Sequence, residues 1–208
     1  LMRAGLDVAR LNFSHGSATE MQERVETLRR VAAEEGRYIA LLGDLQGPKI
    51  RIRRFQNGSE RLARGAEFFL DPDLDDDAGT DAGVGIAYDR LASDVTPGDM
   101  LLLNDGQIEL EVTAVEGNRV HTRVVIGGVL SDYKGINLRG GGLSAPALTD
   151  KDRDDIRVAA ELDLDYLAVS FVRTADDITE ARRLFREAGG DGLMVAKIER
   201  AEAVTEIE

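Results

Sequence analysis

The chain has 208 residues, 43% of them hydrophobic, and a formal net charge of -13 from 26 Lys and Arg against 39 Asp and Glu. Such an acidic balance argues against nucleic acid or an anionic membrane as a general partner, because phosphate contacts need clustered cations, but it leaves room for a local basic pocket. There is no cysteine, hence no disulfide framework and no thiolate metal site, and no apolar run approaches the roughly 20 residues of a membrane span; a cytoplasmic globular protein of one large or two small domains is expected.

In VARLNFSHG, residues 8–16, Arg10, Asn12 and Ser14 alternate with Ala9, Leu11 and Phe13, the period of a strand with polar groups on one face. A half-solvated antiparallel strand would account for this. In a parallel sheet covered by helices both faces are apolar, and a polar row near the strand end needs another purpose. Ser17 and Thr19 with Glu20 can start a helix with an apolar stripe at Met21, Val25, Leu28 and Val31/Ala32, ended by Gly36. YIALLGDL, residues 38–45, reads as a strand buried on both faces. Strand, helix, strand is the pattern of a parallel sheet.

Across 47–144 the helical period fades. Short runs such as AEFFL, DMLLL and IELEVTAVEG are separated by Gly, Asn, Asp and Pro, which predicts a small β-rich domain. Its acidic stretch DPDLDDDAGTD reads as a solvated connection, since a calcium loop would need a ligand spacing and a closing Glu that it lacks. NDG at 104–106 predicts a turn between strands. The stretch GGVLSDYKGINLRGGGLS is glycine-rich enough to be expected as a hinge rather than core.

The first mode then returns. LTDKDRDDIRVAAEL predicts a helix capped by Thr149, DYLAVSF a strand, TADDITEARRLFREAG a helix capped by Thr174, and GLMVAKIE a strand. The expected organisation is an α/β fold of 1–46 and 145–208 with a β-rich insertion at 47–144. Part of a (β/α)8 barrel and a doubly wound sheet give the same string of elements. In either, ligands bind beyond the carboxyl ends of the strands, and there the sequence repeatedly sets polar groups: Arg10, Asn12 and Ser14; Asp44; Ser170; Lys197 and Glu199. Lys197 and Glu199, two apart, share a strand face, which reads either as a buried ion pair or as a cation beside a hard-metal ligand around an anionic substrate.

VARLNFSHG, LLGDLQGPKIR, NDG, KGIN, VSFVR and AKIERAEAV occur here in order, and with them the chain strongly resembles pyruvate kinases, particularly bacterial ones. The resemblance implies strands two to five of a (β/α)8 TIM barrel with an inserted all-β lid, and phosphoryl transfer from phosphoenolpyruvate to ADP giving pyruvate and ATP. It implies that Arg10 binds the phosphate, that Lys197 stabilises the transition state, and that Glu199 is a Mg2+ ligand. By the same resemblance Asn12, Ser14 and Asp44 form a monovalent-cation site, and Asn12, His15, Arg51 and Lys134 contact the nucleotide. The implied parent is a cytoplasmic homotetramer.

Two departures qualify the resemblance. Many family members carry Thr-Lys or Thr-Thr after the aspartate and Glu at the position of Lys49, and those typically require K+; here Leu45, Gln46 and Lys49 stand instead, so Lys49 is expected to replace the ion. The chain also reads as an internal fragment, starting after the expected first strand and stopping before a second Mg2+ carboxylate and the threonine associated with enolate protonation. It is therefore expected to be inactive alone, the alternative being a noncatalytic binding or interaction module derived from such an enzyme.

Overall fold

A computed structural model describes residues 1–207, which divide into a first compact unit, Leu1–Pro48 together with the chain from Pro146 onward, and a second, Lys49–Ala145. In chain order the first unit supplies β1 (Val8–Asn12), α1 (Ala18–Glu34) and β2 (Ala40–Asp44). The second supplies β3 (Ser59–Leu62), β4 (Glu67–Asp71), β5 (Gly83–Gly85), α2 (Leu91–Asp94), β6 (Met100–Leu103), β7 (Ile108–Glu116), β8 (Arg119–Ile126), β9 (Gly128–Ser131) and β10 (Ile136–Leu138). The chain then re-enters the first unit with α3 (Asp150–Glu161), β11 (Tyr166–Val169), α4 (Ala175–Glu187), β12 (Leu193–Ala196) and α5 (Ala201–Thr205).

The first unit is a curled sheet of parallel strands in the order β1-β2-β11-β12. Asn12 lies opposite Asp44, Asp44 opposite Ala168, and Val169 opposite Ala196, so the carboxyl ends of all four strands are side by side. The helices start where their sequences can satisfy free N–H groups: Ser17 with Glu20, Thr149 with Asp152 and Thr174 with Asp177 each form a capping box. Behind the sheet Met21, Leu41, Ile156, Leu167 and Phe185 pack into one core. Two expectations need correction. The strand expected over 38–45 begins only at Ala40, and Tyr38 is fully exposed. The strand at Val8 stops at Asn12; Ser14 lies in the following turn, where its N–H donates to Asn12 Oδ1 at 3.0 Å, so the polar row is part strand and part Asx-type turn.

The second unit is built of strands apart from the single turn of α2. Six strands form one sheet, β10-β6-β7-β8-β4-β5, and β3 pairs with β9. Asn104 and Asp105, at φ 50° and 56°, turn β6 into β7 with the left-handed conformation that tight hairpins require. The stretch 127–144 is not the hinge its glycines suggest: β9 and β10 lie within it, and Leu130 and Ile136 are buried in the core. Glycine content measures backbone freedom, whereas here alternate apolar residues decide the outcome. The acidic stretch 71–81 is likewise more than a solvated connection. Asp71 is buried and takes the Arg119 guanidinium through Nε at 2.9 Å and Nη2 at 2.8 Å, while Arg53 Nη1 donates to Leu74 O at 2.6 Å. Near the end of the unit, Asp94 accepts from the Tyr88 hydroxyl, from Ser144 N at 2.8 Å and from Ser144 Oγ at 3.1 Å.

Candidate active site

The polar groups at the strand ends of the first unit converge on Asp44. Its carboxylate is 3% exposed; Oδ2 receives Arg10 Nε at 2.5 Å and Oδ1 receives Lys197 Nζ at 3.2 Å. Strand register accounts for the meeting: Arg10 is two residues back on β1 and reaches forward, and Lys197 follows the last residue of β12 with its N–H still donating to Val169 O at 3.0 Å. Lys197 Nζ also donates to Ser170 Oγ at 2.8 Å and lies 3.5 Å from Glu199 Oε1. Ser170, itself 1% exposed, donates its hydroxyl hydrogen bond to Leu45 O at 2.7 Å. Two cations thus share one buried carboxylate, and both keep exposed surface, 58% of the Arg10 side chain and 30% of that of Lys197. Arg10 has N–H donors left over for an incoming anion, and the third N–H of Lys197 has only the longer contact to Glu199.

Glu199 is held from a second direction. Phe171, at φ 55°, donates its N–H to Glu199 Oε2 at 3.1 Å, and the Arg200 guanidinium lies 5.9 Å from the Phe171 ring centre. A non-glycine residue in the left-handed region is held there only by its surroundings. Gly47 supports the same turn: at φ +66° a Cβ on it would come within 2.9 Å of Ser170 Cβ and of Phe171 Cδ2, so no side chain fits. Its N–H is fixed by Asp152 Oδ1 at 2.9 Å, while Asp152 Oδ2 takes Thr149 N at 2.8 Å.

Glu199 can contribute one carboxylate to a hard cation, and Mg2+ is commonly held by one or two carboxylates plus substrate phosphates. No group of three or more His, Asp or Glu that could hold a metal occurs among the described residues, so Glu199 would be a share of such a site and not a whole one. Asn12 Oδ1 and the Asp44 carboxylate, two oxygen donors expected for a monovalent cation, are engaged by Ser14 N and by Arg10 and Lys197. Leu45 is buried in the core of this unit and His15 is exposed.

The remaining candidates belong to the second unit. Arg51 bridges Gly135 and donates Nη1 to Tyr133 O at 2.8 Å, while Lys134 O accepts from Ile52 N at 3.0 Å. Residues 82 apart in sequence are therefore bonded to each other. Lys49 is exposed and Lys134 half-buried.

The sequence names Asp44 and every side chain touching it, but not their convergence on that carboxylate. Phe171, Gly47 and Asp152 went unnoticed. The Thr149/Asp152 spacing signals a helix cap, but nothing local signals its second bond to Gly47, and a positive φ at Phe171 leaves no mark in the sequence.

Residues 1–208 match the family described as pyruvate kinase, barrel domain. The chain is 52% identical over 204 residues to pyruvate kinase II of Salmonella typhimurium, covering 98% of this chain and 42% of that protein. It is 48% identical over 208 residues to the pyruvate kinase of Haemophilus influenzae, covering 100% and 44%, and 42% identical over 208 residues to that of Corynebacterium glutamicum, covering 100% and 43%. The chain thus spans less than half the length of the curated relatives it matches.

Proposed function

We propose that this chain, which belongs to the pyruvate kinase family, carries in the complete protein the groups that move a phosphoryl from phosphoenolpyruvate to ADP, giving pyruvate and ATP. The observation that carries this reading is the Arg10–Asp44–Lys197 cluster at the joined strand ends. Phosphoryl transfer needs positioning and cations more than a nucleophile, because charge spreads over the moving group's oxygens while the bond to the enol oxygen breaks and the bond to the ADP oxygen forms. Arg10 would bind the phosphate through guanidinium nitrogens that Asp44 leaves free. Lys197 would hold the phosphoryl and the enolate oxygen it departs from, and that enolate is protonated at carbon to give pyruvate. Mg2+, held in part by Glu199, would neutralise phosphate charge. Asn12, His15, Arg51 and Lys134 would serve the nucleotide, with the second unit as a lid over it. Closure of such a lid keeps water from intercepting the phosphoryl.

Lys49, with Leu45 in place of a hydroxyl residue, supports a parent that works without K+. Two cations already occupy Asp44, and a third positive charge would be repelled. Rates in Na+, K+ and a bulky organic cation at equal ionic strength should be alike, and strong selective activation by K+ would contradict this.

The function is tested with a coupled assay of the full-length parent and of this chain, supplied with phosphoenolpyruvate, ADP and Mg2+. Turnover of about 1 to 1,000 per second is expected of the parent, and none of the chain alone, in which Glu199 is the single assigned metal carboxylate. A parent without turnover would refute the reading.

A further inference from the structure

We propose that Ser170 is a positioning residue for phosphoryl transfer, acting through Lys197; the inference rests on the function proposed above and assigns a role to a side chain outside it. A hydroxyl has one proton and two lone pairs. The Ser170 proton is committed to Leu45 O at 2.7 Å, with Asp44 Oδ1 a poorer acceptor at 3.5 Å, so its lone pairs face the Lys197 ammonium at 2.8 Å. That is the shortest of the ammonium's contacts here; the carboxylates of Asp44 and Glu199 stand at 3.2 and 3.5 Å.

The difference matters because a carboxylate both orients an ammonium and cancels its charge, whereas a neutral oxygen orients it and leaves the charge for the substrate. A lysine stem of four rotatable carbons needs such an anchor, since a donor must be in place before charge develops if it is to act without reorganising. Ser170 is itself fixed. It follows β11, is 1% exposed, packs against Gly47 where no Cβ fits, and precedes Phe171, whose N–H holds Glu199. One two-residue turn therefore aims both the cation and the carboxylate.

The test is a double-mutant cycle in the full-length parent, with kcat and KM measured for wild type, Ser170→Ala, Lys197→Met and the double variant. Ser170→Ala is expected to lower kcat about tenfold to a hundredfold, with KM for phosphoenolpyruvate changed by less than about threefold. In the Lys197→Met background the same change should cost less than about twofold, because its route to the substrate is gone. Equal losses in both backgrounds, or a raised KM with kcat intact, would overturn the proposal. Ser170→Cys, which swaps the strong oxygen acceptor for a weak sulfur one, carries the same expectation and keeps the test decisive if the alanine variant does not fold. An inactive wild-type parent would refute the function and this role together; an active parent indifferent to Ser170→Ala would refute the role alone.

Discussion

Asp44 in the first unit and Asp71 in the second are both buried carboxylates at the end of a strand, and both hold an arginine, yet they are finished differently. Asp71 is closed: the guanidinium binds it through two nitrogens, Asp73 N donates to it at 2.9 Å, and Arg119 also lies 4.3 Å from the centre of the Phe69 ring. The carboxylate is thereby matched to one arginine, whose side chain keeps 42% of its surface exposed. Asp44 is divided between two cations that touch it through one nitrogen each; the Arg10 guanidinium keeps N–H groups beyond that bond, and the Lys197 ammonium also meets Ser170 and Glu199. A carboxylate matched to one arginine fixes a loop; one divided between two cations gathers both at the strand ends. Buried ion pairs by themselves are weak evidence for stability, so the number of cations on each carboxylate, and not the burial, separates the two.

The largest effect that sharpens this contrast is expected from Lys197→Met in the full-length parent. It should lower kcat about 10²- to 10³-fold, the range for losing a positioned electrostatic donor, with a smaller change in phosphoenolpyruvate binding. A kcat within twofold of wild type would break the assignment. Asp71→Asn should do the opposite, costing the second unit about 1 kcal/mol by removing the charge opposite the partly exposed Arg119 while kcat holds. Denaturant unfolding followed within that unit measures the first quantity and the coupled assay the second.

Much of this was legible from sequence, for identifiable reasons. The strands and capped helices of the first unit follow from local signals: ALLGD is apolar enough to form an inner strand, and Ser17, Thr149 and Thr174 start helices because the residue three further on completes the box. Arg10, Asp44, Lys197 and Glu199 were visible as polar groups at strand ends. Their convergence on one carboxylate was not, since it depends on β1, β2, β11 and β12 lying in that order, a pairing that joins residues 153 apart. Composition misled in the second unit, where glycines flanking Leu130 and Ile136 concealed two strands. The meeting of the Arg51 and Lys134 segments, through a bond between residues 82 apart, is long-range too.

Lys134→Ala probes whether the second unit serves the nucleotide. KM for ADP should rise about tenfold, the order of one charged contact, with phosphoenolpyruvate use little changed. Equal loss for both substrates would argue against it. The smallest expected effect concerns pH and the Tyr88–Asp94–Ser144 cluster. Burial opposes ionisation of Asp94, but hydrogen bonds from Tyr88 and from Ser144 outweigh it and leave its pKa below the ordinary 3.8. Burial, then the bond to Asp94, raises Tyr88 above 10.0. Stability from Asp94 is therefore present above 3.8 and lost as pH falls through its lowered value, whereas that from Tyr88 is present below 10.0 and lost as pH rises through its raised one. Hydrogen exchange in α2 should accelerate, relative to its intrinsic rate, at both extremes. Asp94→Asn should remove the acidic limb, and an acidic limb that survives it would contradict the assignment.

The most direct test of the central claim, that Asp44 organises two cations for phosphoryl transfer, is kcat for Asp44→Asn in the full-length parent, measured with and without K+. The substitution keeps the shape and removes the charge. If Asp44 is the shared counter-ion, kcat falls about tenfold to a hundredfold whether or not K+ is present. A kcat that is unchanged without K+, with loss only of a K+-dependent increment, would show Asp44 to be a monovalent-cation ligand and would contradict the account.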